Sequence, residues 1–196
     1  IHSCFRCTNP AILRPVDTLM HLKRFRVLAM IPGVLVATLL LCPEPAVSFD
    51  ERRLSFYHTH TAKELDVVYA RGGEYVDEGL DRIEAFLSDF RTGDRREIDP
   101  KLLDLLYDLR AAVGSRGRYE VISAYRSPQT NEMLRNRSGG VASKSQHMVG
   151  KAIDVRLRGV PLAQLRDTAI EMRRGGVGYY PESDFIHLDT ARVRRW

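Results

Sequence analysis

The chain has 196 residues, 44% hydrophobic and 28% charged, with 30 Lys+Arg against 25 Asp+Glu. That composition excludes collagen-like, coiled-coil and multi-pass membrane proteins, and the length suggests one domain of ordinary size. Residues 1–48 carry five basic and two acidic residues, so the remainder holds 25 basic against 23 acidic, and the basic pI gives no support to nucleic-acid binding.

The first 48 residues differ from the rest. Lys23-Arg24-Phe25-Arg26 precedes Val27 to Cys42, 16 residues without a charge, and then Pro43-Glu-Pro-Ala-Val-Ser48. Basic, apolar and small-residue segments in that order predict a secretory signal peptide, with Ala46 and Ser48 at the small-residue cleavage positions. The apolar run is shorter than the ~20 residues of a membrane span and is interrupted at Pro32-Gly33, so membrane attachment is expected only through an uncleaved leader. Leu41 before Cys42 argues against lipidation. Ile1 is no ordinary initiator, and Met20 is the expected start of a normal leader. Cys4, Cys7 and Cys42 all fall in this segment, so residues 49–196 are expected to form one disulfide-free catalytic domain, exported to the periplasm or envelope of a bacterium.

In chain order, Leu54–His60 and Leu65–Tyr69 read as a β-hairpin closed at Arg71-Gly72-Gly73. Asp77 is expected to cap a helix with Leu80, Ile83, Phe86, Leu87 and Phe90 on its apolar face. Asp99-Pro100 opens a second helix running to Gly114, with Asp99 as N-cap. Tyr119–Ser123 reads as a strand entering a corner at Ala124–Pro128 before a helix over 130–137. Lys151–Leu157 alternates as a strand after Gly150, Pro161–Arg174 is an amphipathic helix ended by Gly175-Gly176, and Val177–Tyr180 with Phe185–Asp189 forms a closing hairpin. The predicted fold class is α+β, a small, mainly antiparallel sheet flanked by helices.

Four histidines remain in this part of the chain: His58, His60, His147 and His187. A turn at Gly150 would carry His147 back toward Asp154, and strand alternation places Phe185, His187 and Asp189 on one face. Two histidines and a carboxylate are the ligand set of a catalytic zinc. His58 and His60 lack a third ligand nearby in sequence and are assigned to an exposed strand face. The glycine runs lack a phosphate-binding lysine, and no Gly-x-Ser-x-Gly is present, which argues against nucleotide binding and serine hydrolysis.

Ser-x-His-x-x-Gly-x-Ala-x-Asp at 145–154, Asp-x-x-His at 184–187 and Ser-x-Tyr-Arg-Ser at 123–127 resemble the D-Ala-D-Ala metallopeptidase family, which is grouped with lysostaphin and the hedgehog domain. The Gly-Gly-Val-Gly-Tyr-Tyr-Pro and Phe-Ile-His-Leu-Asp-Thr segments look most like its YcbK-like murein endopeptidase branch. The resemblance implies one Zn²⁺ per chain on His147, Asp154 and His187, and hydrolysis of a peptidoglycan cross-link by a zinc-activated water. It implies Asp184 as general base, where the family carries Glu, with Asp189 as the other candidate or as a partner orienting a ligand. It further implies Arg126 as oxyanion stabiliser and Ser145 as a substrate-binding residue, while Tyr125, Tyr179 and Tyr180 are candidates to line the groove. Carboxypeptidase action on stem peptides and a non-catalytic wall-binding module stay open as alternatives.

Overall fold

The structure is a computed structural model that describes residues 50–138 and 141–196; the predicted leader lies outside the described residues. No helix among these residues is long and apolar enough to cross a membrane.

Alternating apolar side chains form β1 (Glu51–His58) and β2 (Glu64–Arg71), an antiparallel hairpin burying Leu54, Phe56, Val67 and Tyr69 on one face. Gly72 and Gly73 do not close this hairpin. Both have positive φ and turn the chain into a two-residue strand, β3 (Glu74–Tyr75), beside β2. Helix α1 (Asp77–Phe86) follows, but Asp77 is its first residue rather than its cap, the cap position being Val76 with no side-chain hydrogen bond. Helix α2 (Pro100–Ala112) begins as expected, with the Asp99 carboxylate accepting from the Lys101 N–H at 3.0 Å and proline supplying the first turn.

Strand β4 (Tyr119–Ser123) runs into the corner before α3 (Pro128–Ser138), and β5 (Ala152–Leu157) follows a 3₁₀ turn at Gln146–Val149. Helix α4 (Leu162–Met172) is terminated by Arg173 in the left-handed region, φ 53°, not by the glycines beyond it. Gly176 instead opens β6 (Gly176–Tyr180), which pairs antiparallel with β7 (Phe185–Asp189). A last two-residue strand, β8 (Arg194–Arg195), lies parallel to β6.

The α+β class holds, but the sheet is neither small nor of the predicted simplicity. It has eight strands in the order β3-β2-β1-β4-β5-β7-β6-β8 and is mixed, with parallel pairings at β1/β4 and β6/β8. Such pairings join segments distant in sequence, which local alternation does not reveal. Ile153, Val155, Ile186 and Leu188 pack with the α2 leucines and with Leu165 and Ala169 of α4, leaving the opposite face of β5 and β7 for polar side chains.

Asp89 organises the corner that leads to α3. Its buried carboxylate accepts from the Ser127 N–H at 2.9 Å, the Ser127 hydroxyl at 2.8 Å and the Arg91 N–H at 3.0 Å, while the Ser127 hydroxyl oxygen accepts from the Thr130 N–H. Burial opposes the charge, but hydrogen bonds from Thr130, Ser127 and Arg91 outweigh it and hold the carboxyl below its ordinary value. A carboxylate depressed in the folded state contributes stability above its unfolded pKa of about 3.9 and loses it as pH falls toward the folded value. Asp89→Ala is therefore expected to cost about 1–3 kcal/mol near neutral pH. Its acid-side loss of stability in urea titrations should be shallower than wild type, and parallel profiles would contradict this assignment.

Candidate metal centre

The site lies where β4, β5 and β7 meet. Register in the β5/β7 ladder sets Asp154 directly opposite His187, and β4 contributes Ser123 across from Asp154. His147 arrives from the 3₁₀ turn, which Ser145 caps by accepting the His147 N–H at 3.3 Å. Gly150 ends that turn at φ 69°, and a Cβ there would lie 2.0 Å from the Glu97 carbonyl oxygen, so only glycine lets the loop pass this closely. The Gly150 carbonyl accepts from the Asp99 N–H, tying the turn to the start of α2.

Three atoms converge. His147 Nε2 is 3.2 Å from His187 Nδ1 and 3.2 Å from Asp154 Oδ1, and His187 Nδ1 is 2.8 Å from the same oxygen. All three side chains are buried, with 1%, 8% and 8% exposure for His147, Asp154 and His187. Among the described residues, this is the group of His, Cys and acidic side chains whose atoms are arranged to hold an ion.

The partners on the far sides of both rings decide what the inner atoms are. His147 Nδ1 lies 2.6 Å from the Ala124 carbonyl, which can only accept, so that nitrogen carries the proton and Nε2 presents a lone pair. His187 Nε2 donates to Asp189 Oδ2 at 3.0 Å, leaving Nδ1 as a lone pair. Two neutral rings and a carboxylate then face one another with acceptors alone, an arrangement that a cation satisfies. Tetrahedral zinc with bonds of ~2.1 Å separates its ligand atoms by roughly 3.4 Å, close to the observed spacing. The donor set therefore fits a divalent metal.

Electrostatics favour a charged Asp154 and a neutral His147. Burial works against charge on Asp154, yet His147 and His187 hold its carboxyl well below the usual carboxylate range. Burial pushes His147 down, toward the neutral ring, whereas at His187 the contacts to Asp154 and Asp189 outweigh burial and raise it, favouring a proton on Nδ1 that a cation bound at this point would replace. Asp189 is fully buried and held below the usual range against its burial, by His187 and by Arg194, whose guanidinium grips both carboxylate oxygens at 3.0 and 2.6 Å. The Asp189 carboxylate also accepts the Gly176 and Ala191 N–H groups, which makes it an orienting partner of His187.

A cavity of about 630 Å³ opens above the three atoms, lined by Arg126, Lys144, Ser145, Tyr180, Phe185 and Trp196, among others. Arg126 extends a guanidinium nitrogen to 3.9 Å from Asp154 Oδ2, its Nε is buried without a partner, and burial lowers its pKa from the ordinary value. Asp184 is not brought into this lining. It is exposed at φ 51° and its carboxylate pairs with Arg156 at 2.9 Å, although its neighbours Ser183 and Phe185 both line the cavity.

Tyr125 belongs to the hydrophobic core and Tyr179 packs partly against it, whereas Tyr180 reaches the groove and stacks on Phe185. His58 is buried rather than on an exposed face. Its ring packs edge-on against Phe90, on which His60 stacks at 4.4 Å. Sequence reasoning missed Lys144, Arg194 and Trp196, because β8 is too short to show alternation and Lys144 carries no motif.

Comparison with known proteins gives the same direction. Residues 46–196 match the family described as peptidoglycan L,D-endopeptidase MepK. Proteins of that name from Escherichia coli K12 and Shigella flexneri are each 40% identical over 168 residues, covering 86% of this chain and 88% of theirs. A Haemophilus influenzae protein named "Probable peptidoglycan L,D-endopeptidase MepK" is 36% identical over 170 residues, with the same coverage. No solved structure matches. The chain belongs to the MepK family, the YcbK-like murein endopeptidase branch of the D-Ala-D-Ala metallopeptidases.

Proposed function

We propose that the chain is an exported zinc peptidase that hydrolyses an amide bond in the peptide cross-links of peptidoglycan, of the L,D class named for its relatives. The observation that carries this reading is the triangle of acceptor atoms on His147, Asp154 and His187 at the base of a groove. Residues 1–48 are the export leader in this reading, and 49–196 are one catalytic domain.

His147 Nε2, Asp154 Oδ1 and His187 Nδ1 would hold the zinc. When bound, zinc supplies a Lewis acid that makes hydroxide accessible near neutral pH and polarises a carbonyl. The remaining work falls to the chain's own groups. The Ala124 carbonyl and the Asp189 carboxylate hold the two imidazoles in the tautomers that present lone pairs inward. Arg126 stays charged despite its burial, and its partly unpartnered guanidinium at the groove floor offers N–H donors to an oxygen gaining negative charge. Ser145 shapes the His147 turn and borders the peptide path.

Proton acceptance is assigned to Asp184. Asp189 is unsuited, since its oxygens are occupied by His187, Arg194 and two backbone N–H groups. Asp184 is an exposed carboxylate between two groove residues, and to act it would have to leave Arg156 and turn toward the peptide. Its oxygen would take the proton from water and return it to the leaving amine.

Full-length wild type is expected to remove cross-linked dimers from purified sacculi, with Asp154→Ala and His187→Ala abolishing the change in the muropeptide profile. Dimer loss by either variant would contradict the reading, and shortened monomers beside intact dimers would move the assignment to a carboxypeptidase. Asp184→Asn is expected to lower kcat about 10²–10⁴-fold while retaining bound zinc. Wild-type turnover in that variant would remove Asp184 from the mechanism.

A further inference from the structure

Trp196 is the single tryptophan of the chain, and its placement is unusually constrained. Its N–H donates to the Val177 carbonyl at 3.2 Å and its carbonyl accepts from the Tyr179 N–H at 3.1 Å, continuing the β8 edge. The indole Nε1–H donates to the Tyr180 hydroxyl at 2.8 Å, and the Arg194 guanidinium lies 4.8 Å over the ring. A Cβ at Gly178 would sit 2.8 Å from the indole, so the missing side chain at that strand position is what lets the ring lie against β6. The ring centroid is 5.2 Å from that of His187.

Despite these restraints Trp196 is 50% exposed, and it borders the groove. A large apolar surface held in one orientation beside a reaction centre, half of it left to solvent, is organised in advance for an occupant. The groove's charges describe the occupant further. Its lining carries Arg126, Lys144 and Arg194, with Asp154 as the acidic residue among them, and Lys144 makes no ion pair among the described residues.

We propose that Trp196 is a substrate-binding residue whose indole face packs the aliphatic part of a residue in an acidic peptide, while Lys144 draws its carboxylate. The proposal rests on the peptidase reading and adds to it the chemistry of the residue held beside the metal. Arg194 serves both ends, bracing Asp189 behind His187 and covering one face of the indole.

The test uses full-length protein and two probes, cross-linked dimeric muropeptide for turnover and its monomeric cleavage products for binding. Trp196→Ala is expected to raise KM about tenfold, equivalent to about 1.4 kcal/mol of lost contact, with kcat falling by less and zinc content unchanged. Trp196→Phe should recover most of the loss, because an aromatic face remains. In wild type, titration with the monomers should change tryptophan emission saturably, and since Trp196 is the sole source the signal reports this ring. Should Trp196→Ala not fold, the phenylalanine variant and the wild-type titration decide. A wild type that cleaves dimers but shows flat emission, or an alanine variant with unchanged KM, overturns the proposal and leaves the peptidase reading intact. A wild type that cleaves no dimer removes both.

Discussion

Three electron-pair acceptors held within 3.2 Å of one another are unfavourable unless something positive lies among them, and the polar groups next to them hold His147, Asp154 and His187 in that state. Antiparallel register supplies two of them from adjacent strands, which is a rigid way to fix a spacing. The third comes from a turn that must pass close to Glu97, and glycine at position 150 meets that requirement. Outer hydrogen bonds to Ala124 and Asp189 then settle the tautomers. Removing one acceptor would leave the others buried beside an incomplete site.

Around this centre, polar support is layered outward from the three converging atoms. Arg194 neutralises Asp189, Asp189 orients His187, and Asp89 fixes the corner from which Arg126 emerges. Asp89, Asp189 and His187 are buried but paired, so they specify geometry without leaving stranded charge. The apolar core lies on the other side of β5 and β7, where α2 and α4 cover it, and this division lets a single strand serve stability on one face and chemistry on the other.

Features governed by neighbouring residues were legible in the sequence. The β1/β2 strands, the Asp99-Pro100 helix start and the β6/β7 hairpin follow from alternation, capping and turn chemistry, and the convergence of His147, Asp154 and His187 follows from a motif whose order reflects one path through the sheet. Where tertiary context took over, the reading failed. Arg173 rather than a glycine adopts the left-handed conformation that ends α4, and β3 and β8 are too short to display a period. The parallel β1/β4 and β6/β8 pairings are non-local, so an eight-stranded mixed sheet was not foreseen. Burial of Tyr125 and His58, the Arg156 partner of Asp184 and the Trp196 wall likewise depend on contacts between segments far apart in sequence.

Metal analysis of the purified full-length protein tests the central claim most directly, paired with the same measurement on Asp154→Ala. The account predicts one zinc per wild-type chain that survives gel filtration, and its loss from a variant whose circular dichroism is unchanged. Wild-type protein that binds no divalent metal, or a variant that keeps a full equivalent, would contradict it.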